Sequence, residues 1–289
     1  MSYRITTDST SDLPLEYYKE NDVAFIGMQF RLGDKDYAEG PDMGITPHAF
    51  YDALRAGTPS STVQVNTFEF VDFAEPILAA GDDLLHIAFS SGLSGTYESC
   101  VRGVQELAEK YPDRKVVVVD SLAASMGEGL LVYYAVENLK SGMSLEDNAR
   151  WLEDNKLHLC HWFTVNDLMH LHRGGRVSKT SAVFGSMLSI KPVLHVDDEG
   201  HLILVSKSRG RQASLQALAD RMKTTVFDNV KEQMIFISHG DCLEDAEKLA
   251  DILRKTLGVT KIMIHNIGAV IGSHSGPGTV ALFFLGSQR

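Results

Sequence analysis

Apolar residues recur along the chain with two periods that take turns, and the change from one to the other predicts the fold class. Short apolar or β-branched runs at Tyr3-Arg4-Ile5-Thr6-Thr7, Val23 to Phe30, Leu84-Leu85-His86-Ile87-Ala88 and Lys115 to Val119 read as strands. Between them the spacing becomes three and four. Tyr97, Cys100, Val101, Val104, Leu107 and Ala108 share one helical face that Tyr111-Pro112-Asp113 stops. Thr46 and Pro47 open a helix that Gly57 ends, and Thr67 caps another. Further helices are predicted at about 127–141, with Leu131, Tyr134, Ala135 and Leu139 inward, and at about 145–155 behind Ser144. Gly33-Asp34 and Glu39-Gly40 punctuate a polar excursion, read as a hairpin insertion at about 30–45. This order predicts a doubly wound, mostly parallel sheet, in which ligands bind beyond the carboxyl ends of the strands.

After residue 157 the pattern changes. Leu157 to Thr164 reads as a strand, Asp167 to His172 as a short helix stopped by Gly174-Gly175, and Ser178 as the start of another helix. A hairpin, Pro192 to Val196 and His201 to Lys207, turns at Asp197-Asp198-Glu199-Gly200. A helix at about 211–226, a strand Met234 to Ser238, a helix at about 243–257, a strand Lys261 to His265 and the run Val280 to Leu285 follow. This half is expected to be mixed α/β with antiparallel pairing. With 289 residues, too many for one small core, two domains are predicted, 1–157 and 158–289.

The candidate chemistry sits at the predicted strand-to-helix junctions. Ser90-Ser91-Gly92-Leu93-Ser94-Gly95-Thr96 joins a strand to a helix N-terminus, where backbone amides lack helical partners and the peptide dipoles favour a carboxylate or phosphate. Asp8-Ser9-Thr10-Ser11-Asp12 is a second hydroxyl-rich turn. Thr58-Pro59-Ser60-Ser61-Thr62-Val63-Gln64 is a third, able to close over the first. Arg173-Gly174-Gly175-Arg176 and Ser208-Arg209-Gly210-Arg211 put four arginines in glycine-loosened loops, suited to phosphate or carboxylate. Gly272-Ser273-His274-Ser275-Gly276-Pro277-Gly278 holds a histidine in a stiffened glycine-rich loop.

Composition narrows the function classes. A formal net charge of −11 argues against a general affinity for nucleic acid or anionic lipid. No apolar run reaches membrane-spanning length and none resembles a signal segment, so stable membrane insertion is not expected and the expected location is cytoplasmic. Cys100, Cys160 and Cys242 read as buried thiols. The spacings of His158, Cys160, His161, His170 and His172 match no common zinc pattern, so no metal is expected. Neither a dinucleotide nor a P-loop signature occurs, and no cofactor is predicted. Gly92-Leu93-Ser94-Gly95-Thr96 partly imitates an esterase nucleophile elbow, with Thr96 in place of the closing glycine and His274 as a possible base. Serine hydrolysis of acyl esters by Ser94 and His274 is therefore the alternative reading.

The chain closely resembles the DegV family, the fatty-acid-binding partners of bacterial fatty acid kinase. The resemblance rests on Asp8-Ser9-Thr10-Ser11-Asp12-Leu13, Ser90 to Tyr97, Val119-Asp120-Ser121, Gly174-Gly175-Arg176-Val177-Ser178, Ile190-Lys191-Pro192-Val193-Leu194 and Ile271 to Gly278. One departure is clear: the family usually has Thr-Ser-Gln-Pro where this chain reads Ser61-Thr62-Val63-Gln64. The resemblance implies a two-domain carrier without catalytic residues of its own, holding a long-chain fatty acid between its domains and serving phospholipid metabolism. It implies that Ser61, Thr62, Ser94, Gly95 and His274 hold the carboxylate. Arg176 and Arg209 would face the kinase, which phosphorylates the acyl carboxylate with ATP to an acyl phosphate. The acyl wall is then expected from Phe163, Leu168, Phe184, Met187, Leu188, Ile190 and Phe283.

Overall fold

The computed structural model describes residues 2–178, 190–287 and 289. The first half contributes β1 (Tyr3–Asp8), β2 (Ala24–Ile26), β3 (Gln29–Leu32), β4 (Lys35–Ala38), β5 (Ser60–Val63), β6 (Asp83–Ala88) and β7 (Val116–Asp120). Its helices are α1 (Leu15–Glu20), α2 (Pro47–Arg55), α3 (Thr67–Ala79), α4 (Thr96–Lys110), α5 (Met126–Lys140) and α6 (Leu145–Asn155). Four strands form a parallel sheet in the order β2-β1-β6-β7, as the strand and helix alternation predicts. Side chains of β6 alternate between its faces. Leu84 and His86 pack with Phe70 under α3 and α4, whereas Leu85 and Ile87 join the core built on α5.

Two local readings change. The run from Val23 to Phe30 is not one strand. It breaks at Gly27, where a Cβ would come within 2.2 Å of the Glu39 carbonyl oxygen, and resumes as β3 in a separate antiparallel sheet ordered β4-β3-β5. Ser60 to Val63, polar and without alternation in sequence, becomes β5 by pairing with β3, which sets Thr62 opposite the buried Phe30. In addition, Asn66 rather than Thr67 caps α3, in a reciprocal box with Glu69.

The second half contributes β8 (Leu159–Thr164), β9 (Ile190–Val196), β10 (Leu202–Arg209), β11 (Met234–His239), β12 (Lys261–Asn266) and β13 (Val280–Leu285), with α7 (Leu168–Arg173), α8 (Arg211–Thr225), α9 (Leu243–Leu257) and α10 (Ala269–Ser275). Its strands form one mixed sheet, β10-β9-β8-β13-β11-β12, in which only β11 and β12 run parallel. The helix expected from Ser178 lies outside the described residues. One face, including Cys160, Trp162, Leu282 and Phe284, packs on α8 and α9. The other, including Leu159, Phe163, Phe236 and Phe283, packs on α5.

Helix α5 therefore lies between the two large sheets, and Met126, Leu130, Leu131, Val132 and Ala135 on it are fully buried. Such all-round burial is expected of a helix that is apolar on every face. Around its start lie four buried carboxylates, Asp8, Asp12, Glu39 and Glu128. Hydroxyls at the end of β1 and in the turn after it are consumed here: Ser9 donates to Glu39 (2.7 Å), and Thr7 and Thr10 donate to Glu128 (2.7 and 2.9 Å). Asp12 and Glu39 accept the amides of Gly268 and Val270, both at 2.9 Å, at the start of α10. This is why His274, expected in a glycine-rich loop, sits instead on a short helix: carboxylates remote in sequence cap it.

Candidate functional site

The parallel sheet, β5 and the mixed sheet enclose a cavity of about 370 Å3. Its walls are mostly apolar. Phe163 on β8 and Ala281 on β13 face each other across their pairing, with His161 and Phe283 next along the same face. Met28, Phe89, Leu93, Leu171, Val270 and Ile271 close the sides, and Val196 and Leu202 from the β9–β10 hairpin complete it. The volume is that of an ordinary small-molecule pocket.

Several polar groups of the lining meet at one end. Thr62 Oγ1 and His274 Nε2 lie 2.8 Å apart, joining β5 to α10. Arg176, half-buried after α7, donates to the Leu93 carbonyl at 2.9 Å and also to the Gly174 carbonyl. Ser94 Oγ is 2.9 Å from Thr96 Oγ1, and Ser94 is part of the cavity lining. Burial first, and then the Arg176 charge, pull the His274 imidazole down to about 4, so it is neutral near pH 7. Gly174 makes this arrangement possible, since a Cβ there would come within 2.2 Å of His274 Nδ1.

The junction before α4 is partly closed by side chains. Several of its amides have partners within the protein. Ser91 N donates to Asp120, Gly92 N to Ser90 Oγ, Gly95 N to the Gln64 side chain and Thr96 N to Ser94 Oγ. Ser90 itself donates to the Gly200 carbonyl in the β9–β10 turn. Of the four hydroxyls in this turn, only Ser94 lines the cavity. The third hydroxyl segment does close over the first, through Gln64 on Gly95 and Val65 N on Thr96 Oγ1.

The remaining expected residues separate into groups. Thr62, Ser94, His274, Arg176, Phe163 and Phe283 line the cavity. Ser61 points to the opposite face of β5 and is exposed, and Gly95 contributes its amide to Gln64 alone. Leu168 is buried in the core and Ile190 pairs with the exposed Arg209 at the end of the β9–β10 ladder, neither of them on the cavity wall. Phe184, Met187 and Leu188 lie outside the described residues. Ser94 and His274 form no dyad, because the imidazole bonds Thr62 and the serine bonds Thr96.

Sequence reasoning missed Gln64, Leu93, Leu171, Val270 and Ile271 as lining residues. The signal available for them was position, since Gln64, Leu93, Leu171 and Ile271 lie inside segments already singled out and Val270 directly precedes one. His161 was noticed only as a possible metal ligand. It is buried in the wall with its ring edge-on to Phe283 at 5.5 Å, and burial holds it neutral. Among the described residues no helix is long and apolar enough to cross a membrane.

A parallel sheet wound on both faces, a second mixed sheet, and between them a mostly apolar cavity together define a two-domain α/β fold. The chain belongs to the DegV family, whose profile, described as "Uncharacterised protein, DegV family", matches residues 2–287. A DegV domain-containing protein of Clostridium perfringens is 47% identical over 285 residues, covering 99% of this chain and 98% of its own. Among solved structures, a DegV family protein from Thermus thermophilus, described by its fatty acid binding, is 30% identical with a TM-score of 0.85, covering 98% of this chain and 99% of its own. A DegV lipid-binding protein from Thermotoga maritima is 28% identical with a TM-score of 0.87 over the whole of both chains.

Proposed function

We propose that the protein binds a long-chain fatty acid in the cavity between its sheets and presents the carboxylate to a partner kinase, which phosphorylates it with ATP. The observation that carries the binding half is the cavity itself, mostly apolar in its lining and including Thr62, Ser94, Arg176 and His274. The fatty acid and lipid binding described for the Thermus thermophilus and Thermotoga maritima relatives supports the same ligand class. The kinase half draws on the family resemblance.

In this reading affinity and orientation come from different parts of the ligand. Each buried methylene is worth about 0.8 kcal/mol, so a long chain gains roughly 10 kcal/mol before the costs of association. The head is held by few groups. A neutral His274 with its proton on Nε2 donates to Thr62 Oγ1, which turns the threonine proton toward a carboxylate oxygen. Ser94 offers a second hydroxyl, and Arg176 supplies the positive charge. In the transfer a carboxylate oxygen forms a bond to the γ-phosphorus of ATP as the bond to the bridging oxygen breaks. ADP leaves with that electron pair, and no proton moves. The chain contributes position and shape and is not the catalyst.

Mass spectrometry of lipid extracted from purified protein tests the reading. Stoichiometric fatty acid is the expected result. A protein that stays empty after incubation with fatty acids refutes it, and turnover of acyl esters abolished by Ser94→Ala would establish the hydrolase alternative instead.

A further inference from the structure

His161 carries hydrogen-bonding capacity that the protein itself does not use. It is part of the wall of the cavity, with 1% of its surface exposed, and neither ring nitrogen has a hydrogen-bond partner among the described residues. Buried polar side chains are paired with few exceptions, because leaving one unpaired is costly. Nothing polar fixes this ring. It lies edge-on to Phe283 at 5.5 Å and over Gly127 at the start of α5, where a Cβ would come within 2.9 Å of Nε2. No hydrogen bond therefore decides which edge of the imidazole faces the cavity. Its place on the sheet sets which part of a ligand it meets. His161 pairs with Phe283, three residues along β13 from Val280. Val280 follows Thr279, whose hydroxyl bonds the Ser275 and Gly276 carbonyls at the end of the helix that bears His274. At about 3.4 Å per residue, the imidazole lies roughly 10 Å further along the strand than that end of α10.

The chemistry of the ring narrows what it can receive. Burial, and then the charges of Arg289 and His195, hold the imidazole neutral, so it has one donor nitrogen and one acceptor. Arg176 is the one arginine, lysine, aspartate or glutamate among the described lining residues, and it bonds Leu93 and Gly174, neither of them on β8 or β13. A hydroxyl, itself donor and acceptor, matches either nitrogen. A carboxylate only accepts, and would bring an unpaired charge against Phe163, Phe283 and Val196. We propose that His161 recognises a hydroxyl carried on the chain of the ligand, so that the cavity takes hydroxy fatty acids as well as plain ones. This inference rests on the carrier reading for the ligand class. It adds a polar contact on the chain, separate from those on the carboxylate, and gives the buried histidine a partner in the loaded protein.

Calorimetric titration of delipidated wild type, His161→Phe and His161→Gln with octadecanoic acid and with its ten-hydroxy and twelve-hydroxy derivatives tests the role. The quantity read is the affinity of each hydroxy acid relative to the parent acid, a ratio in which general damage to the wall cancels. In wild type at least one derivative should bind as tightly as the parent. His161→Phe should lower that ratio about tenfold or more, because the hydroxyl is then buried without a partner, and His161→Gln, which keeps a donor and an acceptor, should recover part of it. Nuclear magnetic resonance of nitrogen-labelled histidine should show the ring nitrogens of His161 shifting more with that derivative than with the parent. A ratio unchanged in His161→Phe overturns the role of His161 and leaves the carrier standing. Exclusion of both derivatives by a wild type that binds octadecanoic acid does the same, and needs no variant to fold. Failure of wild type to bind any of the three acids overturns the carrier reading itself.

Discussion

Replacing Thr62 with valine removes one hydroxyl from the polar end of the cavity and keeps the shape of the side chain. If that hydroxyl holds a carboxylate, its loss forfeits a hydrogen bond to a charged group, worth about 1.5–3 kcal/mol, and weakens fatty-acid binding by roughly 10- to 150-fold. Shortening the ligand from eighteen to fourteen carbons removes four methylenes, about 3 kcal/mol, or roughly 200-fold. On the proposed reading head and tail meet different parts of the cavity, so the two losses should add. Titration calorimetry of wild type and Thr62→Val with both acids gives the four affinities. Thermal unfolding of the unliganded proteins gives a control, because the variant leaves His274 Nε2 without its partner and should lose about 1–3 kcal/mol of stability. An affinity that ignores chain length in either protein refutes the division of labour, as does a Thr62→Val effect that appears with one acid and vanishes with the other.

Other substitutions probe neighbouring parts of the site. Gly174→Ala would drive a Cβ into His274 Nδ1, so it should cost about 1–3 kcal/mol in thermal unfolding and weaken the ligand through the displaced Thr62–His274 pair. Phe283→Ala opens the wall beside His161 and should destabilise the empty protein by about 3–5 kcal/mol, while chain-length profiling shows preference moving toward longer or branched acids. Arg209→Ala should impair phosphorylation by the proposed kinase and leave fatty-acid binding intact, whereas Arg176→Ala should weaken both, since Arg176 lines the cavity and Arg209 is exposed at the end of β10. Burial pushes Glu39 up to about 7 from an ordinary 4.5, so the folded state binds more protons than the unfolded state across that window and Glu39 lowers stability as pH rises through it. Glu39→Gln should accordingly show a smaller fall in melting temperature from pH 5 to pH 8 than wild type, and an unchanged fall would refute the assignment.

Elements whose signals are local were legible. The amphipathic spacing of α4 and the Ser144 cap of α6 put those helices within a residue or two of their observed bounds, and the β9–β10 hairpin was read from its Asp-Asp-Glu-Gly turn. What escaped was decided by partners remote in sequence. Residues 60–63 are a strand only because β3 lies beside them, and α10 is a helix because Asp12 and Glu39 meet its first amides. At the α4 junction, Asp120 and Gln64 take the amides of Ser91 and Gly95, partners that lie 29 and 31 residues away in the sequence. Thr62, Ser94, His274 and Arg176 all line the cavity.

Because a single buried helix, α5, serves as common core to both large sheets, neither sheet can lose its packing without exposing the other. Melting should then be one cooperative event across the whole chain. The tryptophans are well placed to report it, Trp151 against Tyr134 beside the parallel sheet and Trp162 against His195 on the far face of the mixed one. Their fluorescence transitions should coincide and shift upward together when ligand is added.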